Sequence, residues 1–184
     1  MPMHHFMHQL LQQLGLAARP TRSPAHENLL ALRNLAFQLT SQELELTPDS
    51  PPGPVWGVLF ETHDAGAPFS LLMLHDGHVS LYLSTGGSLI GCQGRSEVRQ
   101  ASRRFMTQAN RLHQQAHPAR EHPLPAPGMS SFYFLTNQGV LCYTAPEARL
   151  GDGRDQLSPL FHLARSVVVA LESTHHPQHR LRTP

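Results

Sequence analysis

Apolar residues repeat along this chain with two different spacings, one typical of helices and one typical of strands. Spacings of three and four residues, which place apolar side chains on one helical face, predict four helices. They cover 3–14, 24 to about 40, 95 to about 116, and 158 to about 174. Ser-Pro dipeptides at Ser23 and Ser158 mark two of these starts, because serine caps a helix and proline fits its first turn.

The first predicted helix is amphipathic. Large apolar side chains occupy one face, and His and Gln occupy the other. The apolar stripe consists of Met3, Phe6, Met7, Leu10, Leu11 and Leu14. Gly15 ends this helix, and residues 19–23 form a linker to the second one.

Five shorter segments have the composition and alternation of strands. They cover 55–62, 69–75, 79–84, 131–136 and 140–144. Asp76-Gly77 and Asn137-Gln-Gly139 are tight-turn sequences, so hairpins dominate the connections. The order is two N-terminal helices, a three-strand meander, a helix, a hairpin and one C-terminal helix. This order predicts an α+β fold with a mainly antiparallel sheet of about five strands and helices packed on it.

Two proline-rich connectors, 47–54 and 117–128, interrupt the pattern. Neither flanking half holds a complete apolar core, so the connectors do not separate domains. We expect a single α+β domain over 23–174, an N-terminal helix and linker over 1–22, and a polar tail over 175–184.

A glycine-rich stretch links the third predicted strand to the following helix. Backbone N–H groups at a helix start bind anions, because the helix dipole points the same way, and two arginines lie on this helix. The candidate ligand- or anion-binding residues are Thr85, Gly86, Gly87, Gly91, Gly94, Arg95 and Arg99. The spacing matches neither a Walker loop nor a dinucleotide fingerprint. The alternative is that the glycines only permit a sharp turn or bulge and that the arginines form a solvated helix face.

Cys92 lies in the same stretch and is the candidate reactive thiol, because a helix N-terminus lowers the pKa of a nearby thiol. His75 or His78 would supply the base. The alternative is a small packed side chain, and Cys142, in the middle of a strand, is interpreted as core. Two cysteines provide no disulfide framework, and we assign no catalytic residue.

Histidine pairs spaced four residues apart could present two imidazoles on one helical face. The pairs are His4/His8, His113/His117 and His175/His179. No Asp, Glu or Cys nearby completes a ligand set, so we predict no metal and no cofactor. We interpret His162, inside the last helix, as a packing residue. Asp152 and Asp155 lie in segments that look exposed and lack a partner base.

The net charge gives no reason to expect binding to nucleic acid or to a membrane surface. The formal net charge is +1, and all fourteen basic residues are arginine. The five arginines between residues 95 and 111 have few aromatic neighbours, which argues against nucleic acid. The N-terminus lacks the features of a secretory signal, and no apolar run approaches the roughly 20 residues of a membrane span. We therefore expect a cytoplasmic protein with no membrane partner.

The segment Leu81-Tyr-Leu-Ser-Thr-Gly-Gly-Ser-Leu-Ile-Gly91 and its following helix resemble a strand-to-helix segment of uncharacterised bacterial proteins. Residues 132–140 and 157–162 are similar to later parts of the same pattern, so the resemblance covers about 55–172. It implies a fold and no catalytic residue. The element order also resembles the profilin-like and roadblock-like class, which implies interaction or dimerisation. Three strands precede the middle helix here, whereas roadblock modules have two.

Two functional hypotheses follow. The first is a non-enzymatic interaction or regulatory module, acting as a homodimer or with another protein partner. The second is a small-molecule or anion-binding sensor that uses the Gly86–Gly94 turn and the start of the following helix.

Overall fold

The computed structural model describes residues 24–44, 53–64, 66–90 and 94–175. Its elements in chain order are α1 (Pro24–Gln38), β1 (Val55–Asp64), β2 (Ala67–Leu74), β3 (Val79–Leu83), β4 (Ser88–Leu89), α2 (Ser96–Leu112), β5 (His117–Pro118), β6 (Met129–Thr136), β7 (Gly139–Pro146), α3 (Glu147–Gly151) and α4 (Ser158–His175). The predictions for helix 3–14, the Ser23 cap, Gly91, Cys92 and the tail after His175 lie outside the described residues.

The strands form one sheet in the order β4-β3-β2-β1-β6-β7-β5, and every pairing is antiparallel. The predicted α+β class, the meander and the later hairpin are therefore confirmed. The described part of the chain contains seven strands rather than about five, because β4 and β5 have two residues each. A strand that short has no measurable alternation, so its formation depends on the neighbour it pairs with.

Helices cover both faces of the sheet. Successive strand residues point to opposite faces, so Phe60 faces α2 and α4 while Leu59 faces α1. The larger core combines the Phe60 side of the sheet with the inner faces of α2 and α4. The smaller core lies beneath α1, where Leu29 and Leu32 pack against the other side. The sequence predicted helices on a sheet, but it did not predict which face each helix covers.

The start of α4 is capped by Asp155 rather than by Ser158. The Asp155 carboxylate accepts a hydrogen bond from the Leu157 N–H at 3.0 Å. The Ser158 hydroxyl accepts one from the Asp155 N–H at 3.1 Å, so the two side chains cap reciprocally, as in a capping box. Asp155 is buried, which corrects the expectation of an exposed side chain. Its carboxylate also accepts a 2.9 Å hydrogen bond from the Tyr143 hydroxyl, which links α4 to β7.

Replacing Asp155 with alanine is expected to lower the free energy of unfolding by about 1–2 kcal/mol, the usual cost of losing a helix cap. Urea titration followed by circular dichroism measures this loss. Asp152→Ala is the matched control, because Asp152 is exposed and its ion pair with Arg154 lies in solvent. An equal effect of the two substitutions would contradict the capping role of Asp155.

None of the described helices is both long enough and apolar enough to cross a lipid bilayer.

Candidate functional site

A cavity of about 550 Å³ opens between the β3–β4 hairpin and the second half of α4. Its volume falls within the roughly 300–1,000 Å³ of typical small-molecule sites. The sheet side of the cavity is apolar and consists of Phe69, Leu81, Leu83 and Leu89. The helix side consists of Arg165, Val168, Val169 and Glu172. The turn between β3 and β4 also contributes to the lining, through Ser84, Thr85, Gly87 and Ser88.

Strand alternation explains the apolar wall on the sheet side. Leu81 and Leu83 lie two residues apart in β3 and therefore point to the same face. β4 folds back so that Leu89 pairs with Leu81, which places a third leucine beside them. Gly86 and Gly87 make this reversal possible, since their φ angles of 107° and 84° suit glycine and strain other residues. The turn glycines thus create the wall by bringing β4 against β3.

The helix wall follows from the position of two valines outside the buried stripe of α4. That stripe consists of Leu160, Ala164, Val167 and Leu171, which lie on one face at helical spacing. Val168 is half-buried, and Val169 is 58% exposed. Among the described residues, Val169 is the large apolar residue whose side chain is exposed, and it borders the cavity. The outer side of α4 therefore extends the apolar lining towards solvent.

Two opposite charges occupy different ends of the helix wall. Arg165 and Glu172 are separated by seven residues, which corresponds to about 10 Å along a helix. Both side chains are exposed. The cavity therefore presents an apolar surface between one cationic and one anionic group. Such an arrangement can orient a molecule that carries a single charge.

The structure separates the described candidate residues of the sequence-predicted anion site. Thr85 and Gly87 line the cavity, and Gly86 lies in the same turn. Gly94 and Arg95 directly precede α2.

Arg99 lies beside the turn at the opposite end of β3. A Cβ atom placed on Gly77 would lie 3.8 Å from the Arg99 Cγ, so Arg99 packs near the β2–β3 turn. The five residues of β3 span roughly 16 Å between the two turns. Those candidate residues that the structure describes thus form two groups at opposite ends of β3. The start of α2 has no side-chain cap.

The candidate base residues for Cys92 lie at the β2–β3 turn. There the Nδ1 atom of His78 lies 2.8 Å from a carboxylate oxygen of Asp76. Cys142 is half-buried and packs against the edge of the smaller core, rather than being fully buried in it. Burial raises the pKa of the Cys142 thiol, which keeps it protonated and poorly nucleophilic.

Histidine positions differ from two expectations. His162 is exposed, so the expected burial is wrong, although its ring centre lies 5.9 Å from that of Phe161. α2 ends at Leu112 and His117 belongs to β5, so His113 and His117 do not share a helical face. Among the described residues no group of three or more His, Cys, Asp or Glu side chains has a metal-binding arrangement.

A buried ion pair joins α1 to the sheet on the face opposite the cavity. The Arg33 Nε donates to a Glu61 carboxylate oxygen at 2.6 Å, and a second guanidinium nitrogen donates to the other oxygen at 3.1 Å. The Ser70 hydroxyl donates to the same carboxylate at 2.7 Å. Glu61 is 0% exposed. Burial raises the pKa of Glu61, against the opposing effects of Arg33 and Ser70.

The same guanidinium holds the connector after β5 against the sheet. Arg33 also donates to the His122 carbonyl, and its Cζ atom lies 4.9 Å from the centre of the Phe37 ring. The His122 ring stacks on Phe37 at 4.1 Å, and the Tyr133 hydroxyl donates to the Pro123 carbonyl at 2.5 Å. Burial and then the nearby Arg33 charge lower the pKa of His122. We call Arg33, Glu61, Phe37, His122 and Tyr133 the Arg33 cluster. Its side chains are occupied by contacts within the protein, and they hold α1 and the connector against one face of the sheet.

Comparison of the chain with family models, curated proteins and solved structures found no match. The resemblance to bacterial strand-to-helix segments and to the profilin-like and roadblock-like class therefore stays a prediction.

Sequence reasoning missed the residues that α4 contributes to the cavity. The run Val167-Val168-Val169 contained a signal. Consecutive helical residues are separated by about 100°, so three in a row cannot all face the same core. The run therefore indicated that α4 presents an apolar side chain away from its buried stripe.

Proposed function

We propose that the protein is a cytoplasmic, non-enzymatic binding module. Its ligand is a small amphipathic anion, with an apolar body and a single anionic group, bound between the β3–β4 hairpin and α4. The observation that supports this function is the cavity itself, which combines two apolar walls with one cationic side chain at its rim. The proposal keeps the sensor hypothesis and moves its site from the start of α2 to the Gly86–Gly87 end of β3.

The apolar body would contribute most of the binding free energy. Each buried methylene contributes about 0.8 kcal/mol, and the leucine and valine walls supply the surface to bury it. Arg165 is exposed, so an ion pair with it contributes about 0–1 kcal/mol. Glu172 repels an anion at the other end of the helix wall. The anionic group would therefore lie near Arg165 and the alkyl or ring portion between Leu83 and Val168.

Decanoate is a suitable probe, because it combines a carboxylate with a flexible apolar chain. We expect saturating decanoate to raise the melting temperature, with a stabilisation of about 2.7 kcal/mol at a hundredfold excess over Kd. Leu83→Arg is expected to weaken binding at least about tenfold, because it inserts a charge into the apolar wall. Arg165→Ala is expected to weaken it about two- to fivefold, as an exposed ion pair does. Isothermal titration calorimetry measures each affinity.

Arg95→Ala serves as the control, since Arg95 precedes α2 and does not line the cavity. Loss of decanoate binding in Arg95→Ala with full binding in Leu83→Arg would contradict the cavity site and favour the helix-start anion site. Equal binding by all variants would contradict both sites.

Exposed Val169 supports a second candidate function, a homodimer or other protein complex formed through the outer side of α4. Burying this side chain together with half-buried Val168 would remove apolar surface from water. Light scattering at high concentration would then show a dimer. Val169→Glu would dissociate it, whereas Ser166→Glu, a matched change at an exposed α4 position outside the cavity lining, would not. A strict monomer contradicts this second function and leaves the ligand-binding function intact.

A further inference from the structure

The chain enters α1 beside the mouth of the cavity. A Cβ atom placed on Gly86 would lie 3.8 Å from the Cβ of Ala25, the second residue of α1. Thr85 and Gly87, on either side of that glycine, line the cavity. Pro24, the first residue of α1, therefore lies near the tip of the hairpin that forms one cavity wall.

The segment before α1 has apolar residues that could cover the apolar lining of the cavity. It contains the predicted stripe of six large apolar side chains over residues 3–14, and no acidic residue precedes Glu27. A helix of that length would measure about 18 Å, comparable with the walls formed by β3 and the second half of α4. Nine residues from Gly15 to Ser23 can extend over roughly 30 Å. That reach is sufficient to pass from the α1 face around the hairpin tip to the cavity.

The other terminal segment offers a weaker match. Residues 176–184 follow α4, whose second half also lines the cavity. Leu181 is the one large apolar residue among them, and the others are polar, charged or proline. Burial of a single leucine contributes far less than burial of a six-residue stripe. The N-terminal segment is therefore the better occupant.

We propose that residues 3–14 bind in the cavity of their own chain through this apolar stripe and compete there with the amphipathic anion. The competition rests on the proposed ligand-binding function, whereas the docking of the segment does not. A segment joined to its own chain by a short linker has an effective concentration at the site on the order of millimolar. A higher concentration of free ligand is then needed to displace the segment. The segment therefore sets the ligand concentration at which the module responds.

A full-length variant with a disrupted stripe tests the competition. Phe6→Asp combined with Leu10→Asp places two charges on the apolar face, and Gln9→Asp combined with Gln13→Asp places the same charges on the polar face. We expect decanoate to bind the stripe variant at least about tenfold more tightly than the unchanged chain, with no change in the control. Equal affinity in all three chains would overturn the competition. A Leu83→Arg chain that binds decanoate normally would instead overturn the proposed function.

Photo-crosslinking tests the docking without any ligand. With benzoylphenylalanine at position 6, we expect crosslinks to residues 81–89 or 165–172 within one chain, and none when Leu10 is aspartate. Mixing isotopically labelled and unlabelled chains separates contacts within a chain from contacts between chains. Crosslinks exclusively between chains would overturn the proposal in favour of a second copy as the donor. Crosslinks confined to other surfaces would overturn it outright.

Discussion

Replacing Arg33 with alanine is expected to lower the free energy of unfolding by about 3–5 kcal/mol, the cost of leaving one partner of a buried ion pair without the other. The structure supports the upper part of this range for a specific reason. Glu61 is 0% exposed, and Arg33 is its cationic partner, through two hydrogen bonds. The same substitution also removes the bond to the His122 carbonyl, so α1 and the connector loosen together. Urea unfolding followed by circular dichroism measures the loss.

The effect of Arg33→Ala is expected to depend on pH in a defined direction. Burial already raises the pKa of Glu61 above the ordinary 4.5, and removing Arg33 removes a contribution that lowers it. A carboxyl with a raised pKa holds its proton in the folded state after the unfolded chain has lost it. Stability of the variant therefore falls as pH rises from about 4.5 through the raised value. We expect a larger loss of stability at pH 8 than at pH 5.

A double replacement provides the control. Arg33→Met together with Glu61→Leu removes both charges and keeps apolar volume, which is often neutral or stabilising for a buried pair. We expect the double variant to be more stable than Arg33→Ala at pH 8. Arg154→Ala, which removes an exposed ion pair, should change stability by about 1 kcal/mol or less. An Arg33→Ala chain as stable as Arg154→Ala would contradict the structural role of the cluster.

Replacing Phe60 with alanine is expected to cost about 3–5 kcal/mol, the usual range for removing a buried aromatic ring. Phe60 is 0% exposed and lies at the centre of the larger core. Its ring centre lies 4.9 Å from that of Phe132 on β6 and 5.9 Å from that of Phe161 on α4. Deleting it leaves a void between the sheet and α4 that the surrounding backbone cannot fully close. Chemical unfolding measures the loss, and coincident fluorescence and circular dichroism transitions justify a two-state analysis.

Phe60→Leu separates the stability lost with side-chain volume from the stability lost with the aromatic contacts. It keeps an apolar side chain of similar size, and we expect a cost of less than about 1.5 kcal/mol. A Phe60→Ala variant that loses less than the leucine variant would contradict the central position of this ring. The expected order of stability is therefore the unchanged chain, then Phe60→Leu, then Phe60→Ala.

The helix α1 shows what the spacing of apolar residues can predict and what it cannot. The spacing predicted a helix from residue 24 to about residue 40, and α1 covers Pro24–Gln38. The pattern also placed Leu29 and Leu32 on the buried face, as observed. It did not place Arg33 there, because an arginine is buried only where a carboxylate from another element meets it. That carboxylate comes from β1, 28 residues later in the chain.

The cavity shows a different kind of limit. The glycine turn, β3 and the apolar run of α4 were each visible as separate patterns in the sequence. Their proximity arises because β4 pairs with the edge of β3 and because α4 crosses the same face of the sheet. The described candidate residues of the predicted anion site lie apart for a related reason. The return of the chain along β4 places the start of α2 at the end of β3 opposite the glycine turn.

Local sequence determined which segments of the described chain become long helices and long strands, where the glycine and hairpin turns fall, and hence the α+β class. These features depend on side-chain spacing and backbone conformation within a few residues of each other. Tertiary structure alone decided the sheet order, the two short edge strands, the face that each helix covers, the Arg33–Glu61 pair and the cavity beside α4. Each of these requires contacts between segments far apart in the chain, and their free energy appears only when the segments are packed together.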